Sequence, residues 1–197
     1  MGEPWFYTRQ MLLARSNYIK GLTLDLGAGT QKYRHIIEKC CDRYISLDAF
    51  SKADVMGDAM AIPFKDNVFD TIICTQVIEH VPRPWLVVHE IYRVLKEGGH
   101  LLLSTPFLYP YHLEPRDYFR YTRDGLQALL EDAHFSIIEI KSMGGEKLVL
   151  IELLDRTMRN ERLKRALIKR LHRLVARVEP KNTESLNTPN HFVIARK

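Results

Sequence analysis

The first candidate for chemistry is the segment DLGAGT at residues 25–30, in which a carboxylate precedes two glycines. Asp25 lies near the end of the apolar run LTLDL, and Gly27 and Gly29 follow it, separated by Ala28. Glycines let a ligand approach the backbone closely and permit dihedral angles that other residues avoid. A carboxylate at the same place favours a ligand that carries positive charge. The segment therefore predicts a binding loop, and a tight turn that binds nothing is the alternative.

A second carboxylate, Asp48, stands 19 residues after Gly29 at the end of another apolar run. A carboxylate there can accept hydrogen bonds from both hydroxyls of a ribose. That feature also suits a nicotinamide dinucleotide, but the GxGxxG fingerprint of such sites needs a glycine at position 32, which is Lys32. Asp25 would repel a pyrophosphate, whereas it would attract the amino group and the sulfonium of S-adenosylmethionine.

Strands alternate with helices along the chain, which is the pattern of an α/β protein with a doubly wound, mostly parallel sheet. The predicted strands are 22–26, 44–49, 54–59, 69–76, 100–106, 135–142 and 191–197. The predicted helices are 5–20, 31–41, 84–97, one capped by Thr122, and 146–178. Ligands of such sheets bind beyond the carboxyl ends of the strands, which is where Asp25 and Asp48 lie. We expect one domain over residues 1–197, with 5–20 as an N-terminal helix and 146–178 as a basic helical insertion before the last strand.

Composition narrows the class of protein. The 197 residues include 46% hydrophobic and 27% charged residues, as in globular domains. The N-terminal residues do not resemble a secretory signal, so we expect a cytoplasmic location. Cys40, Cys41 and Cys74 lack the spacing of a zinc site or a disulfide framework. We therefore expect no bound metal.

Four segments together resemble the class I S-adenosylmethionine-dependent methyltransferases, in particular the type 11 family of small-molecule enzymes. They are DLGAGT, YISLDA, GDAMAIPFKDNVFDTIICTQVIEHV and LKEGGHLLLSTP, in that order, and the resemblance covers about residues 20–142 with the closing strand HFVIARK. Gln31 stands where a third glycine is common. The resemblance implies a Rossmann-like sheet of seven strands in the order 3-2-1-4-5-7-6, with the last strand antiparallel.

The resemblance also implies which residues would bind S-adenosylmethionine. Carried over by position, the cofactor-binding residues are Asp25, Gly27, Ala28, Gly29, Asp48, Ala49, Asp58, Ala59 and Gln76. Asp25 and the glycines would face the methionine part, and Asp48 would hold the ribose. Asp58 would accept a hydrogen bond from the adenine amine, with Ala59 beside the ring, and Gln76 would lie near the sulfonium.

Three residues are candidates for catalysis, and each has a structural alternative. His80, in the sequence Glu79-His80, is either a general base or a histidine that fastens the loop after the fourth strand. The segment FLYPYHLEPRDYFRY, 107–121, has six aromatic residues among fifteen. It is either a lid over the acceptor, with His112 or Tyr118 near the reacting atom, or a loop that simply packs.

The stretch 156–181 concentrates the positive charge of the chain. Ten of its 26 residues are Lys or Arg, and only Glu161 and Glu179 are acidic. Its apolar residues at helical spacing predict one packed face, formed by Leu163, Ala166, Leu167, Leu171, Leu174, Val175 and Val178. The helix is either an ordinary surface helix or a cationic face for an anionic membrane surface or a lipid-linked phosphate. Nucleic acid is a less favoured partner.

These observations predict methyl transfer from S-adenosylmethionine to a small-molecule acceptor, with a sugar or a lipid-linked intermediate as candidates. A protein that keeps the fold without turnover is the alternative, and a nicotinamide-dependent oxidoreductase is less favoured. The basic helix would place the protein peripherally at a membrane surface if its anionic partner is a lipid.

Overall fold

The computed structural model describes residues 4–112, 116–158, 161–178 and 185–197. A seven-stranded sheet forms the centre of the molecule, in the order β3-β2-β1-β4-β5-β7-β6. The strands are β1 Leu22–Leu26, β2 Arg43–Asp48, β3 Val55–Met56, β4 Phe69–Thr75, β5 Leu95–Pro106, β6 Ser136–Met143 and β7 Asn190–Arg196. β7 runs antiparallel between β5 and β6, whereas the other pairs are parallel. The predicted fold class and strand order are confirmed.

Helices cover both faces of this sheet. The α-helices in the described part of the chain are α1 Pro4–Ala14, α2 Arg34–Ile37, α3 Pro84–Val94, α4 Arg123–Asp132, α5 Glu146–Thr157 and α6 Glu161–Val178. On one face, α3 and α4 pack through residues such as Ile91 and Leu126. On the other face, Leu12 of α1 and Ile37 of α2 pack against Ile73 and Phe192. A sheet covered on both sides explains why its central strands are almost uniformly apolar.

Several predicted bounds differ from the structure. Only two residues of 54–59 pair as a strand, and the predicted helix 31–41 contains just one helical turn, α2. The helix expected over 84–97 ends at Val94, because Leu95 already pairs with Phe69 at the start of β5. Thr122 caps α4 as predicted, since its side chain accepts a hydrogen bond from the Gly125 amide.

The predicted helix 146–178 is divided into two helices. Met158 adopts an extended conformation after α5, and α6 begins at Glu161. The two helices pack on each other through Ile151, Ile168 and Val175. Among the described residues, no helix combines the length and the apolar character that crossing a bilayer requires.

Candidate active site

The loop after β1 is shaped by its two glycines. Gly27 has φ +69°, and a Cβ there would lie 2.4 Å from the side chain of Val77. Gly29 has φ +51°, but a Cβ there would meet no atom within 4 Å. The first glycine is therefore required by packing against the neighbouring strand. The second leaves open space above the backbone, which is the room that an approaching ligand needs.

Asp48, at the end of β2, holds two loops together. Its Oδ2 accepts a hydrogen bond from the Gly29 amide at 2.8 Å. Its Oδ1 accepts bonds from the amides of Phe50 and Ser51 at 2.8 and 2.7 Å. The carboxylate therefore fixes the β1 loop against the β2 loop, and one lone pair of Oδ2 remains for a further donor.

Asp25 lies at the floor of the same site. Its side chain is 3% exposed, and Tyr44 Oη donates a hydrogen bond to Oδ2 at 2.7 Å. Burial raises the pKa of Asp25 to about 6, because the charged form loses water that this single hydrogen bond only partly replaces. A cationic ligand beside Asp25 would recover part of that cost.

These loops surround a cleft of about 1150 Å³ at the carboxyl ends of β1, β2, β3 and β4. That volume has room for a nucleoside-sized ligand and a second small molecule. All nine residues predicted to bind the cofactor line it: Asp25, Gly27, Ala28, Gly29, Asp48, Ala49, Asp58, Ala59 and Gln76. The three candidate catalytic residues, His80, His112 and Tyr118, also line it. The structure thus brings these residues together, while their individual roles stay predictions.

The rim of the cleft contains features that the sequence analysis missed. Phe50 is 80% exposed and lines the cleft directly after Asp48 and Ala49, where its ring offers a stacking surface. Gln76 adopts φ +56°, an unusual conformation for a residue with a side chain. Its backbone amide donates a hydrogen bond to the Ser104 carbonyl oxygen at 2.8 Å, and this bond fixes the turn after β4. Backbone strain of this kind is common where a site must be shaped accurately.

Residues 107–112 and 116–121 lie at one end of the cleft. Tyr109, His112, Arg116 and Tyr118 line the cavity. Asp117 accepts hydrogen bonds from Arg120 with both oxygens, and the His112 amide donates to it at 2.9 Å. Some side chains of this segment thus line the cleft, while two aromatic residues, Phe119 and Tyr121, pack in the core. A role in covering an acceptor stays a prediction. From here on we call residues 107–112 and 116–121 the lid.

Three hydrogen bonds fasten the lid to the turn after β4. The Tyr118 amide donates to the Glu79 carbonyl at 2.8 Å, and Tyr121 Oη donates to the Ile78 carbonyl at 3.2 Å. His80 Nδ1 lies 2.5 Å from the Arg116 carbonyl oxygen. His80 therefore does fasten this loop, and it lines the cleft as well.

The comparisons with known proteins agree with this arrangement. Residues 24–103 match the family model described as a methyltransferase domain. This segment is a methyltransferase domain. The match includes the β1 loop, the β2 end and the turn after β4, which all contribute to the cleft. The resemblance to class I S-adenosylmethionine-dependent methyltransferases is thereby confirmed.

Curated relatives of the methyltransferase domain resemble it over limited lengths. A ubiquinone/menaquinone biosynthesis C-methyltransferase from Ruegeria sp. is 39% identical over 84 residues, which are 43% of this chain and 29% of the relative. An uncharacterized methyltransferase from Mycobacterium marinum is 43% identical over 116 residues, which are 51% of this chain and 46% of the relative. The chain thus matches less than half the length of these two relatives.

Solved structures resemble the whole fold. A SAM-dependent methyltransferase from Archaeoglobus fulgidus superposes with a TM-score of 0.64 and 16% identity, covering 99% of this chain and all of that one. A [4+2]-cyclase gives the same TM-score with 19% identity, covering 96% of this chain and 80% of that one. At such identities the likeness establishes the fold, and it includes proteins with different named activities.

The buried Asp25 predicts a measurable gain in stability on substitution. At neutral pH the carboxylate is charged at a site that raises its pKa from 3.8 to about 6. Asp25→Asn should therefore raise the free energy of unfolding at pH 7 by up to about 3 kcal/mol, at about 1.4 kcal/mol per pKa unit. The wild type should gain the same stability as the pH falls through 6 toward 4, so the difference should vanish there. Urea unfolding at several pH values, with Asp58→Asn as the exposed control, measures this. A variant less stable than the wild type at pH 7 would contradict it.

Proposed function

We propose that the protein binds S-adenosylmethionine in the cleft and transfers its methyl group to a small-molecule acceptor held under the lid. The observation that carries the proposal is the buried Asp25 carboxylate beside the open backbone of Gly29, at the end of a methyltransferase domain's first strand. When bound, this cofactor supplies a methyl group on a positively charged sulfur. Asp25 would hold the cofactor's ammonium group, and the remaining lone pair of Asp48 would accept a ribose hydroxyl.

The adenine end of the cofactor would lie at the exposed rim of the cleft. Asp58 keeps its side chain at this rim, with Oδ1 accepting a hydrogen bond from the Met60 amide at 2.8 Å. Its other oxygen is available for the adenine amine, while Phe50 and Ala59 offer apolar surface to the ring. Gln76 would border the sulfur, as the resemblance to the methyltransferases implies. The protein's main contribution to the reaction would then be to hold two reactants in line.

The cofactor assignment predicts selective binding. Isothermal titration calorimetry should detect S-adenosylmethionine and S-adenosylhomocysteine but not NAD. Asp48→Ala should weaken both ligands by about 1.5–3 kcal/mol, because a charged acceptor and the brace between two loops are lost together. Asp54→Ala is the control, since Asp54 bonds Ser46 and does not line the cleft. Absence of binding at millimolar ligand would refute the proposed function.

The acceptor would occupy the end of the cleft under the lid. Tyr109 and Tyr118 form aromatic walls there, and Arg116 adds a cation. Flat apolar walls with polar groups at their edges suit a sugar ring or the head of a lipid-linked intermediate. We therefore propose an acceptor of this class.

A lid role for Tyr118 predicts separable effects on turnover and cofactor affinity. Tyr118→Phe should lower turnover with an accepted substrate by about 10-fold or more, since a hydroxyl that orients the acceptor is lost. Affinity for S-adenosylhomocysteine should change by less than twofold. Tyr111→Phe is the matched control, because Tyr111 is an exposed lid tyrosine outside the main cleft. Parallel loss of turnover and cofactor affinity would mean that Tyr118 only packs.

A second candidate function is a protein with this fold that does not transfer methyl groups. The [4+2]-cyclase shares this fold and is named for a different reaction, so the fold by itself is compatible with this candidate. Cofactor binding without methyl transfer to any member of a sugar and isoprenoid-phosphate panel, followed with labelled methyl donor, would favour this candidate.

We also propose that α5 and α6 contact an anionic lipid surface. The packed face of α6 is Ile168, Leu171 and Val175, so the sequence prediction that Leu167 and Leu174 belong to it was wrong. These two leucines are exposed, as are Lys169, Arg170 and Arg173 between them. The side chains of Leu163 and Val178 lie outside the described residues.

The neighbouring helix offers a similar surface. Leu150, Leu153 and Leu154 of α5 are exposed. Arg156, at the end of α5, forms a hydrogen bond with Tyr109, which lines the cleft. Apolar side chains beside cations favour the boundary between headgroups and acyl chains of anionic lipid. Contact of this kind would bring the lid close to a lipid-linked acceptor.

This contact predicts salt-sensitive binding to vesicles. The protein should co-sediment with phosphatidylserine-containing vesicles at low salt, and less so near 0.15 M salt, where the screening length is about 8 Å. Combined Lys169→Glu, Arg170→Glu and Arg173→Glu should abolish it. Lys39→Glu, Arg43→Glu and Lys65→Glu make the same change in net charge at other exposed positions and should reduce binding less. Equal sedimentation with neutral and anionic vesicles would refute the contact.

A further inference from the structure

A carboxylate and two imidazoles converge at the lid end of the cleft. Glu79 and His80 belong to the turn after β4, and His112 comes from the lid. Each offers one ligand atom, and the three atoms lie within 4.8 Å of one another. We propose that Glu79, His80 and His112 bind a first-row divalent transition-metal ion.

The distances require only small side-chain movements. Glu79 Oε1 lies 3.8 Å from His80 Nε2, and the two imidazole rings meet edge to face with centroids 5.0 Å apart. Two ligand atoms bound to one ion at about 2.1 Å lie roughly 3–3.5 Å apart. Shifts of about 1 Å would therefore complete the site.

Glu79 is the unusual member of this cluster. Its side chain is fully buried. Among the residues that the structure describes, Oε1 has no hydrogen-bond partner, while Oε2 lies 3.5 Å from Thr105 Oγ1. Buried carboxylates are normally paired or coordinate a metal. The unpaired Oε1 faces His80, and the proposed ion would lie on that side of the carboxylate.

The histidines are held from behind as metal ligands usually are. His80 Nδ1 faces the Arg116 carbonyl oxygen, which can only accept, so the hydrogen is on Nδ1 and Nε2 has a lone pair in the neutral ring. His112 Nδ1 lies 3.4 Å from the Asp117 carboxylate and 3.4 Å from a guanidinium nitrogen of Arg120, which itself binds Asp117. A carbonyl or carboxylate behind the ligating imidazole is the common outer arrangement of metal sites, because it orients the ring.

The chemistry of the ligands narrows the choice of ion. Two imidazoles and one carboxylate suit zinc, iron(II) or cobalt(II) better than magnesium or calcium, which prefer oxygen ligands. Three protein ligands leave coordination positions open toward the cleft, which His80 and His112 both line.

These three residues do not form a recognised metal-binding motif in the sequence. The absence of a metal was predicted from the cysteine spacing, whereas these ligands are two adjacent residues and a histidine 32 positions later in the lid. An ion there would hold an oxygen of the acceptor, a consequence that rests on the proposed methyl transfer. Metal binding itself does not depend on that transfer.

Titration with cobalt(II) tests the site directly. The metal-free protein, without cofactor, should bind about one equivalent of Co²⁺ and develop visible absorption bands, and Zn²⁺ should displace it. Glu79→Gln and His112→Ala should each weaken binding by at least 10-fold. His89→Ala is the matched control, because His89 lies 3.6 Å from Asp132 on the surface and should leave binding unchanged.

Melting temperatures accompany each titration. They show whether each variant is folded. Glu79→Gln keeps the size of the buried side chain. If it does not fold, His112→Ala tests the same site at a less buried lid residue. No saturation by the wild type up to millimolar Co²⁺, or equal binding by the folded variants, would overturn the proposal. Either result would leave calorimetric binding of S-adenosylmethionine untouched, so failure here is distinguishable from failure of the proposed function.

Discussion

The hydrogen bonds of Asp48 join the two loops on which the cleft depends. One oxygen binds the Gly29 amide and the other binds the amides of Phe50 and Ser51. Parallel strands deliver these loops to one edge of the sheet, but strand pairing alone does not fix their separation. A short acidic side chain at the end of β2 does so, because a carboxylate accepts from several backbone amides at once. These hydrogen bonds therefore set the separation of the two loops, and with it the open space above Gly29.

Two further acids are buried at a cost to stability, Asp25 at the floor of the cleft and Glu79 in the protein interior next to His80. Burial raises the pKa of Asp25 to about 6 and that of Glu79 to about 8. A fold selected for stability alone would place neutral side chains at such positions. Their presence makes the unliganded protein less stable than it could be, and the ionised Asp25 makes the cleft attractive to cations. At pH 7, Asp25 is therefore mainly ionised, whereas Glu79 is mainly protonated.

The strands and the cleft could be predicted because they leave a local trace in the sequence. β1 and β4 are short apolar runs, and the strand ends carry the acids and glycines that line the cleft. Other features depend on distant contacts. Glu79 reads as an ordinary surface acid after a strand, and only the packing of the lid buries it. The helical spacing of 163–178 contains two apolar stripes, and nothing local shows which one packs on α5. The break at Met158 was missed as well, because the residues around it, RTMRNER, contain neither the glycine nor the proline that usually signals the end of a helix.

The lid is fastened largely through backbone atoms. The hydrogen bond between Tyr118 and Glu79 joins two main-chain groups. In the other two, the acceptor is a main-chain carbonyl oxygen, that of Ile78 or that of Arg116. Carbonyl oxygens are present whatever the side chain is, so evolution can replace the residues that face the cleft without releasing the lid. Changes at Tyr109 or Arg116 can then alter the shape and charge of the lid end of the cleft, while the end formed by the loops after β1 and β2 stays constant. Such an architecture lets related proteins diverge in what they modify, and it makes these lid positions the natural ones to randomise when a new acceptor is sought.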